Sequence, residues 1–203
     1  MKTLYEDQYC VAISKPANTH TQPTGNSRDV SIAQMYPQFF LVHRLDAHTS
    51  GVLLLAKTRY AASRFSYLFR SRMIQKKYLA LSGIKTLHRI QTIWIDRLMK
   101  TNKGKVKIVS VGGLLAKTKV EIQPANNYSL LRLNPLTGRM HQLRVQATAH
   151  GFPILGDRLY GDISQDNKKR MFLHALSLEF VHPYTRKKII INDRIPKEMK
   201  VFL

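Results

Sequence analysis

The stretch Leu41-Val42-His43-Arg44-Leu45-Asp46-Ala47-His48-Thr49-Ser50-Gly51 gathers one carboxylate, one arginine, two imidazoles and two hydroxyls. A carboxylate in such company can act as a nucleophile or steady a cation developing on a substrate. It can also do nothing chemical, because a loop Asp commonly bonds nearby backbone N–H groups and fixes a turn. The density of reactive groups exceeds what a hairpin loop needs, and Asp46 is the candidate it singles out. Stepping outward, the apolar runs Phe39–Val42 and Val52–Ala56 flank the segment and read as buried strands. Gly51 reads as the turn residue that closes it.

The chain around this loop is strongly basic: 33 Lys and Arg against 12 acidic residues give +21 over 203 residues. A field of that sign draws polyanions, nucleic acid first and an anionic membrane surface second. The 44% hydrophobic content suffices for a core and excludes a disordered basic tail. The length suits a single domain over 1–203. No apolar stretch approaches the roughly 18 residues of a membrane span, and Met1–Asp7 lacks the apolar core of a signal peptide. One cysteine, Cys10 in an apolar run, excludes a disulfide framework and a multi-cysteine zinc site, and fits the cytoplasm. The eight histidines show no metal-ligand spacing and no glycine-rich phosphate loop is present, so neither a metal nor a nucleotide cofactor is expected.

In chain order, Tyr9–Ile13 reads as a strand broken at Lys15-Pro16-Ala17-Asn18, where Asn18 tolerates a left-handed backbone. Thr19–Asp29 reads as loop and Ser31–Tyr36 as a short helix stopped by Pro37. Arg59–Arg72 is an amphipathic helix with Ala61, Phe65, Leu68, Phe69 and Met73 on its apolar stripe, and its arginines face solvent or RNA. Strands follow at Lys76–Leu81, Arg89–Ile95, Lys105–Val111, Ala116–Ile122 and Tyr128–Asn134, with a basic turn over Thr101–Lys105. Met140–His150 reads as a helix capped by Gly151, with Leu143, Ala147 and His150 on one face. Asp162–Arg170 reads as loop, and Leu173–Phe180 with Lys187–Ile191 as a hairpin. Pro196 opens a short C-terminal helix. Many strands, two clear helices and no β-α-β alternation make this an α+β protein with a mixed, largely antiparallel sheet.

His43-Arg44-Leu45-Asp46 followed by Thr49-Ser50-Gly51 and a strand ending in Ala56-Lys57 closely resembles the catalytic signature of the RluA-type pseudouridine synthases. Lys76-Lys77-Tyr78-Leu79-Ala80 resembles that family's Lys-x-Tyr-x-Ala strand. Thr137-Gly138-Arg139-Met140-His141-Gln142-Leu143-Arg144-Val145, continued by Gly151–Gly161, resembles its second long motif, and Leu173-His174-Ala175 a later strand. Asn18 stands where the family's Lys-Pro-x-Gly has Gly. Gln146-Ala147-Thr148 also departs from the pattern and reads as peripheral. The resemblance covers Tyr5 to Tyr184. It implies the pseudouridine-synthase fold, a long bent sheet with flanking helices and a central cleft, with no preceding S4-type domain.

The implied activity is isomerisation of uridine to pseudouridine in structured RNA, ribosomal or transfer, by a cofactor-free cytoplasmic monomer. The N1–C1′ bond breaks, the base turns, and it rejoins through C5. Asp46 is read as the nucleophile. The resemblance makes Arg144 its ion-pair partner, lowering a pKa that burial alone would raise. It makes Tyr78 the active-site tyrosine. Leu143 is read as an apolar wall for the base. Arg44, two residues before Asp46, is read as helping to extract the nucleotide, since a base must be exposed to be modified. His43 is read as bonding the loop, and His141 and Gln142 as holding the helix start or touching phosphate. Thr49, Gly51 and Arg139 complete the substrate-binding set. Two other readings stay open: a non-catalytic basic RNA-binding protein on the same fold, and a glycosidase-like hydrolase using Asp46. The second lacks the partner acid that glycoside hydrolysis needs.

Overall fold

The computed structural model describes residues 1–25, 29–102, 104–161 and 170–202. Residues 26–28 near the end of the Thr19–Asp29 loop, Lys103 of the basic turn and most of the Asp162–Arg170 loop lie outside the described residues. In chain order the elements are β1 (Thr3–Glu6), β2 (Cys10–Lys15), α1 (Ile32–Met35), β3 (Phe40–Leu41), β4 (Ser50–Ala56), α2 (Arg59–Arg70) and β5 (Gln75–Ser82). They continue with β6 (Ile90–Lys100), β7 (Val106–Ile108), β8 (Leu114–Ala125), β9 (Tyr128–Pro135) and α3 (Gln142–Ala149). β10 (Leu173–Val181), β11 (Lys188–Asn192) and α4 (Lys197–Lys200) complete the chain. It divides into two compact units, Met1–Lys76 with His174–Arg194, and Lys77–Leu173 with Ile195–Leu203.

In the first unit the strands run β1-β2-β4-β10-β11, with β3 also on β4. All pairs are antiparallel except β4 with β10, which run parallel at Ser50↔His174 and Gly51↔Ala175. β4 is buried along its whole length and forms the core with Cys10, Ala12, Ala61, Phe65, Leu68 and Phe180. Helix α2 lays Ala61, Phe65 and Leu68 on that core, spaced for one face, and starts at Thr58, whose hydroxyl accepts from the Ala61 N–H. Helix α1 is held by a capping box between Ser31 and Gln34.

In the second unit an antiparallel sheet runs β5-β9-β8-β6-β7. Directly paired residues share a face, so Tyr78, Leu133 and Val120 line up across three strands. That face packs on α3 through Leu143 and Ala147.

Several sequence boundaries move. The α2 stripe ends before Met73, which is 55% exposed, because Arg72 takes φ 58° and turns the chain out of the helix. α3 starts at Gln142 rather than Met140, because His141 sits at φ 52°. His150 follows the helix end and is exposed. Strand β1 went unread, since Glu6 and Asp7 mask its two half-buried residues, Leu4 and Tyr5. β6 and β8 run longer than their apolar cores, because charged residues such as Arg97 and Lys119 occupy their exposed face. No described helix is long and apolar enough to cross a membrane.

Candidate active site

The Asp46 segment is pinned at both ends and in the middle. At its start, the Leu54 N–H donates to His43 Nε2 at 2.9 Å, and the imidazole stacks on Phe69 with centroids 4.2 Å apart. Desolvation, helped by the charge of Lys76, pushes His43 down to about 3, so it is a neutral acceptor. Thr21 then bonds both backbone groups of Leu45, donating to the carbonyl at 2.7 Å and accepting from the N–H at 3.2 Å. In the middle, the Ala47 carbonyl accepts from the Thr19 N–H at 3.1 Å and from the Lys15 ammonium, also at 3.1 Å. Lys15 is fully buried and donates as well to the carbonyls of Pro16 and Thr19. Asn18, at φ 60°, shares a hydrogen bond with His48. At its end, the Thr49 N–H donates to the Asp46 carbonyl and closes the turn. Asp46 is half-buried and Arg44, two residues before it, is exposed.

Thr49 is buried, and Gly51 lies inside β4 rather than in a turn. Its φ is 118°, and a Cβ there would stand 2.2 Å from the Ala175 carbonyl oxygen. Only glycine lets β4 and β10 approach this closely. The structure thus gives Gly51 a framework role beneath the loop.

In the second unit, Arg144 is 4% exposed and forms a bidentate pair with Asp157, Nε and Nη2 each 2.7 Å from a carboxylate oxygen. Burial pushes the Asp157 carboxyl up, but the hydrogen bonds and charge of Arg144, with the Leu159 and Tyr160 N–H groups, hold it below the usual carboxylate range. The guanidinium also lies over the Tyr160 ring, 5.0 Å from its centroid. Tyr160 in turn accepts from the Val106 N–H and shares a 2.8 Å hydrogen bond with His141. Gln142 is buried and fastens the preceding turn, bonding Thr137, the Arg139 N–H, Thr118 and the Lys117 carbonyl. Arg139 donates to the Leu115 carbonyl. Leu143 is buried in the cluster against which the half-buried Tyr78 packs.

Sequence reasoning missed Lys15, Thr21, Asp157 and Tyr160 as supports. Asp157 and Tyr160 stood in a quoted motif, but nothing in their spacing tied them to Arg144. Gln146 is a correction: fully buried, it bonds Thr118 and Asp96 and is not peripheral. Asp96 also meets His150, which stacks on Trp94.

Among the described residues, Asp7, Cys10 and His182 group their ligand atoms within 4.8 Å. The donor set does not suit a metal. His182 Nδ1 accepts from the Tyr184 and Thr185 N–H groups, which places the proton on Nε2, 3.1 Å from Asp7.

A family model described as RNA pseudouridylate synthase matches residues 9–149, which include the Asp46 loop, Tyr78 and Arg144. The chain belongs to that family and is an RNA pseudouridine synthase, an isomerase. Among its relatives, a protein of Rickettsia prowazekii named ribosomal large subunit pseudouridine synthase C is 36% identical over 211 residues. That alignment covers 95% of this chain and 67% of the relative. A Salmonella typhi protein of the same name is 34% identical, with 97% and 67% covered. A solved human structure, RNA pseudouridylate synthase domain containing 1, superimposes with a TM-score of 0.77 at 26% identity, covering 95% of this chain and 82% of that one. The α+β pseudouridine-synthase fold read from the sequence is therefore the fold of this protein.

Proposed function

We propose that this enzyme isomerises a uridine of large-subunit ribosomal RNA with Asp46 as nucleophile, acting as a cytoplasmic monomer. The Asp46 carboxylate bonds C1′ as the N1–C1′ bond breaks and leaves its electron pair on uracil N1. The base turns, C5 bonds C1′, and the carboxylate departs. C5 then loses its proton and N1 gains one, so nothing is oxidised or hydrolysed. Arg144 is the cation that the family resemblance pairs with the nucleophile. Asp157 accepts from two of its N–H donors and fixes the side chain. Tyr78 and Leu143 face the base, and the exposed Arg44 assists its extraction. The proton leaves C5 directly or through water, with the Tyr78 hydroxyl in reach of that role by family resemblance.

The observation that carries this reading is an intact His43-Arg44-Leu45-Asp46 loop in a chain 36% identical to an enzyme named for large-subunit RNA. The test is tritium release from 5-³H-uridine ribosomal RNA and transfer RNA. Release from ribosomal RNA is expected for the native enzyme. Asp46→Asn is expected to lose it by about a thousandfold or more while still binding RNA. Release from transfer RNA alone would reassign the substrate. Free uracil as product would mean hydrolysis, and tight binding of both RNAs without product would mean a binding protein.

A further inference from the structure

One buried polar chain in the first unit has no part in the chemistry above. Ser50 Oγ lies 2.8 Å from His174 Nδ1. His174 Nε2 lies 3.9 Å from Asp193 Oδ2, and that oxygen accepts from the Ser14 hydroxyl at 2.5 Å. The other Asp193 oxygen accepts from the Arg194 N–H at 2.8 Å. His174, Ser50 and Asp193 are 1%, 4% and 8% exposed. Burying an imidazole, a carboxylate and two hydroxyls in a core costs more than filling it with aliphatic side chains, so mere filling does not explain the choice.

The chain ends beside the nucleophile. Ser50 is the first residue of β4, and its neighbour Thr49 closes the turn by donating to the Asp46 carbonyl. One residue on, the missing Cβ of Gly51 lets β4 settle against Ala175 of β10. The strand contact fixes how far apart β4 and β10 lie. The Ser50–His174 pairing ties the backbone at the start of β4, and the side-chain bond between the same two residues adds a second, directional tie where the turn enters the strand. His174 supplies that tie through Nδ1, and the Asp193 carboxylate stands 3.9 Å from its other ring nitrogen.

We infer that His174, acting through Ser50, is a positioning residue that aims the Asp46 turn for attack. The inference rests on Asp46 being the nucleophile. Misplacing a reacting group by a fraction of a bond length slows chemistry without weakening binding. The effect therefore belongs in kcat.

The test compares kcat, KM, RNA affinity and melting temperature for Ser50→Ala, His174→Asn and His174→Gln. The Asn amide nitrogen takes the place of Nδ1 and can still bond Ser50, whereas the Gln amide takes the place of Nε2 and cannot. Ser50→Ala and His174→Gln are each expected to lower kcat about tenfold or more, with KM and RNA affinity unchanged within about twofold. His174→Asn is expected to stay within about threefold of native, and the Ser50→Ala/His174→Gln double variant to match the worse single one. Equal losses for Asn and Gln, additive losses, or a kcat that only tracks the folded fraction would overturn the inference. If either His174 variant fails to fold, Ser50→Ala alone decides: native kcat overturns it, a kcat loss at native melting temperature and RNA affinity sustains it. Activity surviving in Asp46→Asn would instead overturn the underlying reading, whatever the His174 variants do.

Discussion

The loop that carries Asp46 and the Arg144 side chain on its helix are held by different materials. Around Asp46 the work is shared among Lys15, Thr19, Thr21, His43 and Thr49, each making one or a few bonds, mostly to backbone. A typical bond of this kind contributes about 1 kcal/mol net. Around Arg144 stand a buried, bidentate ion pair with Asp157 and the face of the Tyr160 ring. Breaking one partner of such a pair leaves an uncompensated charge in the core. A distributed mount yields gradually when parts are removed, and a concentrated one fails at once. A loop must reach its geometry without a helix to define it, which accounts for the many ties. A helix already fixes the backbone of Arg144, so only its side chain needs aiming.

Asp157→Asn should therefore be the most damaging framework change, costing about 3–5 kcal/mol in chemical denaturation. Replacing both partners, as Arg144→Met with Asp157→Leu, should restore most of that stability and no activity. A single variant no less stable than native would remove the contrast. Gly51→Ala comes next, at about 3 kcal/mol, from a positive φ and a clash with the Ala175 backbone. It is the one point where the distributed mount is brittle, and a native-like melting temperature would show that β4 and β10 can part freely. A third test sharpens the comparison by pH. His43, held down to about 3, binds its proton less readily in the folded chain than at its ordinary 6.5. Stability from that burial is present above 6.5 and is lost as the pH falls from there toward 3. His182, also lowered by burial, acts in the same sense. Asp157, a lowered carboxyl, surrenders its contribution only further down, below about pH 4. His43→Gln keeps an acceptor for the Leu54 N–H but does not titrate. Its melting temperature should fall less steeply than native between pH 6.5 and about 4. Parallel curves would take His43 out of the account.

Most strands and both long helices were legible because their apolar faces repeat cleanly, as in Ala61, Phe65 and Leu68. Boundaries were lost where a single non-glycine residue turns left-handed, at Arg72 and His141, since no residue preference announces that. Asp46, Tyr78 and Arg144 stood out by motif. Their supports did not, because a threonine bonding a backbone 24 residues away or an aspartate 13 residues past its arginine leaves no periodic trace. Gly51 misled for a related reason: glycine marks turns and close strand contacts alike, and only the neighbour across the sheet distinguishes them.

Cys10 is the chain's sole thiol, wholly enclosed in the first unit's core, and burial together with Asp7 drives its ionisation far above the ordinary range. Alkylating reagents can reach it only when that core opens, so its labelling rate is a built-in clock for the breathing of the half of the protein that bears Asp46. A cysteine placed on the surface, at Arg44 for instance, would meanwhile take a dye or crosslinker alone, with no need to engineer the native one away.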